Sequence, residues 1–533
     1  MEMVTATQLY DHVTCPRRVD LDAHADGLRK ADVSPFVRML WQRGASHESD
    51  VVRTLPEGTV LLAGLPGPER EHRTAEAMAG GAELIHGGRI SADDLLGDPD
   101  LLVRRDGRYL PVDIKSGRAE ENGDDDGEPG RPKPHYAVQV ALYVDVLERQ
   151  GLSAGRHPEI WDVRGDRIAY DLEAPRGPRT PTSLWDLYTL SRDAVRAILA
   201  SPHSTRGALS AACGFCHWRE VCSAELEAAG DLTLVPALGR AARDILSSSI
   251  PTLDALATMD PEVYIRGRKT VFAGVGPDRL RLYRDRARLL TTPGATPYLR
   301  HAVVLPETRL EIMFDIEADP MRDLVYLHGF IERTGRDPAT EVFTPFYAGT
   351  PTPEGEREAF AGAIAYLAER PSATVFYYSR YERTMYRKLQ RRFPDVCSED
   401  TIAAIFTPPR SVDLYCDVVA KATEWPTRSH SIKTIAKHLG FAWRDTDPSG
   451  AASIEWYDRW VKGNDPDVRQ RILDYNEDDC RATGVVLDGV RALKPFPPRV
   501  NGGDQGAASG MSGTVRIDLE AFGSVRSTYG RRR

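Results

Sequence analysis

The segment "YLPVDIKSG" sets Asp113 and Lys115 two residues apart in an apolar run that reads as a strand, so both side chains leave the same face. Asp100, in "GDPDLLVRR" just upstream, begins the preceding strand and brings a second carboxylate toward that face. Two carboxylates hold a divalent cation, which lowers the pKa of a bound water, and a nearby ammonium orients that water and offsets charge developing on a phosphate. This is equipment for phosphodiester hydrolysis. A lone D-x-K on a strand is more often an exposed edge pair. Here it has company: His47 in "RGASHES" is a further candidate ligand, and Gln139 and Tyr143 in "QVALY" stand one helical turn apart.

Further acids follow downstream. "MFDIEAD" places Asp315 and Glu317 on one face of an apolar strand, and "LDYNEDDCRAT" places Tyr475 and Asp479 one turn apart on a helix. Asp478 falls on a different helix face. For an isolated D-x-E, a solvated face or a turn is the simpler account.

"CGFCHWREVC" gathers Cys213, Cys216 and Cys222, three of the chain's seven cysteines. The spacing suits a metal or cluster site, which normally takes four ligands. Thiolates bind zinc or an iron-sulfur cluster, and the spacing leaves both open. Cys397, Cys416 and Cys480 have no matching pattern and read as ordinary buried thiols.

The elements that must position these groups are legible. "LLVRR" and "YLPVDIK" read as strands followed by the helix "AVQVALYVDVLERQ". The intervening 117–134, rich in Gly, Pro and acids, reads as an exposed loop or flap. From 231 to 299 the pattern is helical and basic, a connector weakly similar to helix-hairpin-helix elements, with incomplete hairpin glycines. From 300 to 496 strands such as "DLVYLHGFIE" and "ATVFYYS" alternate with helices such as "GEREAFAGAIAYLAER", so the fold class is α/β. The Gly/Ser-rich stretch 497–533 reads as a disordered tail. No internal repeat is evident.

The order His47, Asp100, Asp113-Ile114-Lys115, Gln139-x-x-x-Tyr143 resembles the RecB-like branch of the PD-(D/E)XK nucleases, which have a restriction-endonuclease-like fold. The resemblance implies that His47, Asp100, Asp113 and the Ile114 carbonyl bind Mg2+ or Mn2+, that Lys115 assists hydrolysis, and that Gln139 and Tyr143 lie beside the substrate. CRISPR-associated exonucleases and AddB-type nucleases bracket this fold with four cysteines. Their pattern implies Cys15 as the fourth ligand to Cys213, Cys216 and Cys222, the four holding a 4Fe-4S cluster, with zinc as the alternative. The domain would span 1–230.

The D-x-E strand and helical Y-x-x-x-D resemble the DnaQ-like, DEDDy 3'-5' exonucleases of the ribonuclease-H-like fold, in which four acids hold two divalent metals and a tyrosine positions water. Asp315, Glu317 and Asp479 map as metal ligands and Tyr475 as the orienter. The second motif departs from the family: Tyr377 replaces its Asn, and Tyr381-Glu382 replaces Phe-Asp. Glu382 is the expected third acid, with Asp413 as an alternative. The longer side chain puts activity of this half in question. Ser431 and Lys433 offer a phosphate contact, with helix capping an equal account.

Composition limits the rest. With 41% hydrophobic and 28% charged residues and no long apolar run, the chain reads as soluble and free of membrane. The start lacks a secretory pattern, so a cytoplasmic location is expected. A net charge of -9 argues against a general polyanion coat. Nucleic acid is therefore expected in grooves lined by Arg266, Arg268 and Lys269, by Arg279, Arg281 and Arg284, or by "RTMYRKLQRR". The family resemblance implies a DNA nuclease acting on single strands or free ends in repair or defence, with a helicase as partner. RNA as substrate and a nucleic-acid-binding scaffold are the competing readings.

Overall fold

The computed structural model describes residues 2–121, 130–177, 180–446, 448–495 and 516–518. Most of the tail expected at 497–533 lies outside these, although 516–518 pair in parallel with Ala302–Val304. Part of the expected flap is also outside them, and its described ends pair as short antiparallel strands, Glu120–Glu121 with Arg131–Pro132. The chain separates into two compact units, 1–228 and 229–533. The second takes in both the connector and the domain that follows it.

In the first unit a mixed six-stranded sheet centres on Arg108–Ile114, which is antiparallel to Leu101–Arg105 and parallel to Glu159–Trp161. Asp106 and Gly107, at φ of 50° and 80°, make the tight turn between the first pair, the backbone that a two-residue hairpin requires. From Tyr109 to Ile114 every residue of the central strand is buried, as expected for a strand covered on both faces. Helix Pro134–Arg149 is buried at every position from Ala137 to Leu147 except Gln139. A helix apolar around its circumference has to be enclosed, so Gln139, the polar exception, marks where enclosure stops.

The second unit contains a five-stranded sheet in the order Val342–Tyr347, Leu324–Thr334, Leu310–Asp319, Thr374–Tyr377, Ser411–Asp413. The first three strands are antiparallel, and the last two run parallel to Leu310–Asp319. Helix Pro466–Ala492 packs on the face carrying Met313 and Asp315, with Gly484 against Met313.

The 229–299 region holds a repeat that the sequence conceals. Val235-Pro236-Ala237-Leu238-Gly239 and Phe272-Ala273-Gly274-Val275-Gly276 form matching turns. Leu238 N donates to Val235 O at 3.1 Å and Val275 N to Phe272 O at 3.2 Å. Each turn has a residue at positive φ, Ala237 at 64° and Gly274 at 75°, and each ends on a glycine N-cap, of helices Arg240–Leu246 and Pro277–Thr291. Ala237 stands where the second copy has glycine, which hides the repeat from a search for hairpin glycines.

This region is fixed to the second unit's sheet domain by Arg286. Its Nε and Nη2 donate to the fully buried Glu424 at 2.8 and 3.2 Å, and Arg300 approaches the same carboxylate at 2.9 Å. Other arginines expected on nucleic acid are engaged inside the fold. Arg281 forks onto Glu262, Arg284 is buried against Asp285, and Lys388 and Arg392 pair with Asp323. Arg268, Lys269 and Arg279 remain exposed.

Candidate functional site

In the first unit, strand pairing sets Leu101 opposite Val112, so Asp100 meets the end of the central strand. Its Oδ2 accepts from Ile114 N at 2.7 Å. Asp113 is 2% exposed, and its Oδ2 lies 2.9 Å from Lys115 Nζ. Burial and then the Asp113 carboxylate push the Asp100 pKa well up. Burial pulls Lys115 down, but Asp113 and Asp100 more than offset it and hold the ammonium charged.

Helix Pro35–Arg53 carries His47, whose buried Nε2 makes no hydrogen bond, and its neighbour Glu48. Glu48 Oε1 lies 3.2 Å from His86 Nε2, and that contact holds the Glu48 pKa down. Glu48 and His86 were not singled out from the sequence, because only packing brings their helix and strand beside Asp100. Tyr143 is packed against Gly97 and donates to Asp98 O at 3.4 Å, a wall position. Gln139 keeps a buried Oε1 without a hydrogen bond. Tyr136 lies under the Lys115 ammonium, 5.3 Å from ring centre to Nζ.

Cys15, Cys213, Cys216 and Cys222 line one cavity with Thr14, Arg18 and Trp218. Burial, then Cys15 and Cys216, push the Cys222 thiol up to about 12. The ends of the unit are also joined without sulfur. Asp20 accepts from His203 N, Thr205 N and Thr205 Oγ1, Asp22 accepts from Trp218 Nε1 at 3.0 Å, and Arg17 pairs with Glu225 at 2.9 Å. Of the remaining cysteines Cys480 is buried, whereas Cys397 and Cys416 are only partly so.

In the second unit Asp315, Glu317 and Asp479 bring ligand atoms within 4.8 Å of one another, the one such acidic or thiol group of three or more among the described residues. A contrast on the same strand gives this cluster meaning. Glu311 shares the face of Asp315 and is held by Arg333 and Arg491. Among the described residues neither Asp315 nor Glu317 makes an ion pair. Burial, then Asp479, push Glu317 up to about 8 and Asp315 well above its ordinary value. Acids crowded in this way are stabilised by a divalent cation.

The supporting shell was mostly hidden from sequence. Asn476 Nδ2 donates to Asp315 at 2.8 Å, and Trp443 Nε1 donates to Asp479 Oδ1 at 2.7 Å. Asn476 reaches Asp315 because Gly329, its cross-strand partner, has no side chain; a Cβ there would stand 1.7 Å from Asn476 Oδ1. Gly329→Ala should lower stability by about 1–3 kcal/mol, as overpacking does, and weaken metal binding at Asp315; thermal denaturation with and without Mn2+ measures both.

Lys433 donates to Tyr475 Oη and lies 3.8 Å from Asp479 Oδ2. Ser431 instead caps its helix, accepting from Thr434 N. Glu382 is not among the three acids with ligand atoms within 4.8 Å of one another, yet its charge helps to raise Asp315. It is 4% exposed, accepts from Ser379 Oγ at 3.4 Å, and is pushed up to about 8 by burial and the neighbouring Asp413. Asp413 accepts from Cys416 N at 2.7 Å as a helix cap. Asp478 faces away and holds Arg444 at 2.9 Å.

Two family models match the chain, one in each unit. Residues 26–223 match the PD-(D/E)XK nuclease superfamily, and residues 312–490 match the RNase H superfamily. No curated protein matches the chain. Among the described residues no helix is long and apolar enough to cross a membrane.

Proposed function

We propose that this chain, in which a PD-(D/E)XK nuclease domain precedes an RNase H superfamily domain, is a divalent-metal-dependent DNA nuclease acting on single strands or free ends. The observation that carries the reading is the cluster of Asp315, Glu317 and Asp479, crowded within 4.8 Å and lacking the arginines that hold Glu311. The first site supports it with Asp100, Asp113 and Lys115 at one strand end.

A bound Mg2+ or Mn2+ supplies water activation and charge neutralisation on the phosphate. Asp100, Asp113, the Ile114 carbonyl and His47 are the donors that would hold it in the first domain, and His47 Nε2 has no competing hydrogen bond. Lys115, kept charged by both acids, places a fixed ammonium beside the metal ligands. Gln139 and Tyr143 frame the substrate side. In the second domain Asp315, Glu317 and Asp479 are the donors, with Tyr475 beside them. Exonuclease action in repair or defence of DNA, beside a helicase in the cytoplasm, completes the reading.

The test is a cleavage assay on matched single-stranded DNA, linear and closed-circular duplex DNA, and RNA, with Mg2+ or Mn2+ and with each site substituted. Cleavage of single strands and linear duplexes that needs Asp113 or Asp315 is expected. RNA-only cleavage would reassign the substrate. Binding without any cleavage would favour the scaffold reading, which Glu382 in place of the family's Asp supports for the second domain.

The four cysteines are proposed to hold a 4Fe-4S cluster. The support is that all four thiols line one cavity, with zinc, which four thiolates also bind, as the alternative. Anaerobically purified protein should be brown and lose its visible absorbance in Cys216→Ser, with the first unit destabilised and Mn2+ binding at Asp315 intact. A colourless protein with stoichiometric zinc would reverse the assignment. Because Asp20, Asp22 and Arg17 also join the unit's ends, the substituted unit is expected to remain folded at moderate temperature.

A further inference from the structure

We infer that Lys133 and Tyr136 form a second phosphate-binding position in the first domain, gripping the backbone of a single strand next to the phosphate cleaved beside Lys115. This rests on the nuclease reading of that domain and names the part of the substrate held there. Neither residue belongs to the motif that the family resemblance supplied.

The position is made where two pieces of chain meet. Lys115 directly follows the central strand, and Ser116, Gly117 and Arg118 continue from it. Lys133 is the N-cap of helix Pro134–Arg149, and Tyr136 lies in its first turn. A Cβ placed on Gly117 would meet Tyr136 Oη at 3.4 Å and Lys133 Nζ at 4.0 Å. The two polar tips therefore converge on one point, over a residue whose missing side chain leaves room for a ligand. The Tyr136 ring carries both ammoniums, with Lys115 Nζ 5.3 Å and Lys133 Nζ 5.1 Å from its centre. His135 stands edge-on to that ring at 4.6 Å, and Tyr10 lies 6.4 Å from it. Burial, then Lys133 and Lys115, pull the His135 pKa down to about 4, so this imidazole is neutral near pH 7 and the positive charge resides on the two lysines.

Lys133 differs from the other basic side chains in lacking a counter-ion. Arg281, Arg284, Lys388 and Arg392 each have an acid within ion-pair distance. Lys133 is partly buried and makes no ion pair among the described residues, and the Tyr136 hydroxyl makes no hydrogen bond among them. Burial pulls the Lys133 pKa below the ordinary lysine value; Glu121 and Asp162 oppose this only from beyond ion-pair distance, and Arg118 adds repulsion. A half-buried ammonium of this kind is stabilised by an anion brought to it. Lys115, on the same ring, acts at the reacting phosphate, so the anion that reaches Lys133 is a neighbouring phosphate of the same strand. An ammonium and a phenol hydroxyl both donate to its oxygens.

The test measures binding of a fluorescein-labelled oligothymidine to the full chain without divalent ions, across a salt series, and single-strand cleavage kinetics in an Asp315→Ala background. Lys133→Ala should weaken binding roughly tenfold, the size of one charge-assisted contact, and reduce the slope of log affinity against log salt by about 0.7, one phosphate contact on a single strand. In cleavage it should raise KM with kcat held, whereas Lys115→Ala lowers kcat, and Lys133→Arg should restore the wild-type KM. Tyr136→Phe keeps the ring beneath both ammoniums and should raise KM by a smaller factor; an unchanged KM there would remove the tyrosine from the position. Unchanged affinity and salt slope in Lys133→Ala overturn the inference, as does a fall in kcat alone, the mark of a lysine that merely supports Lys115. A salt slope that depends on Lys133, with no cleavage that depends on Asp113, would overturn the nuclease reading and leave the backbone contact standing.

Discussion

Lys115→Ala is expected to reduce first-site cleavage by about 100- to 1000-fold, the usual cost of removing one preorganised donor to a developing negative charge. The measurement is made in an Asp315→Ala background, so that the second domain contributes nothing. The ammonium is held 2.9 Å from Asp113 Oδ2, and its charge is maintained by both strand-end acids, so no other cation replaces it when it is removed. Asp113→Asn should cause at least as large a loss through metal binding, and raised Mn2+ should recover part of the activity of Asp113→Asn but not of Lys115→Ala. That difference separates a metal ligand from a group acting on the substrate phosphate. Full cleavage in both variants would place the chemistry elsewhere.

The second large effect is on stability. Without divalent ions, the second unit should become less stable as pH rises from 5 to 8.5. The sign follows from the direction of the shifts. Burial and neighbouring carboxylates raise the folded-state values of Asp315 and Glu317, the latter to about 8, and burial raises that of Asp479. The folded state binds protons more tightly than the unfolded state, so this contribution is fully present below the unfolded carboxylate value and is lost as pH rises through about 8. Mn2+ should flatten the profile, because ionised carboxylates then face a cation. At a hundredfold excess over its dissociation constant, one bound ion adds about 2.7 kcal/mol. Asp315→Asn should raise the metal-free melting temperature at pH 8 and abolish the Mn2+ effect. Thermal denaturation across this pH range checks both, and a metal-free profile that rises with pH would contradict the assignment.

How the sites were legible differs from residue to residue. Asp113 with Lys115, and Asp315 with Glu317, could be placed on common strand faces because a strand alternates its side chains whatever surrounds it. Tyr475 and Asp479 could be placed on one helix face for the corresponding reason. Asn476 stood between them in the same motif, but its bond to Asp315 depends on Gly329 of another strand. Glu48 beside His47 gave no signal until helix Pro35–Arg53 was placed against His86. The basic runs misled most: Arg281, Arg284, Lys388 and Arg392 were candidate phosphate contacts, yet each has an acid beside it in the fold.

By itself, the sequence determined the α/β class, the order of the two nuclease-like domains and the residue types offered to each centre. Local backbone geometry fixes those through the strand's period of two and the helix's of 3.6. Tertiary structure alone decided how the acids expected from the family resemblance are arranged. Asp479 joins Asp315 and Glu317 while Glu382 does not, Lys433 enters the cluster, and Ala237 repeats the turn at Gly274. Those outcomes depend on packing between elements far apart in the chain, where the room left by one glycine lets Asn476 reach Asp315.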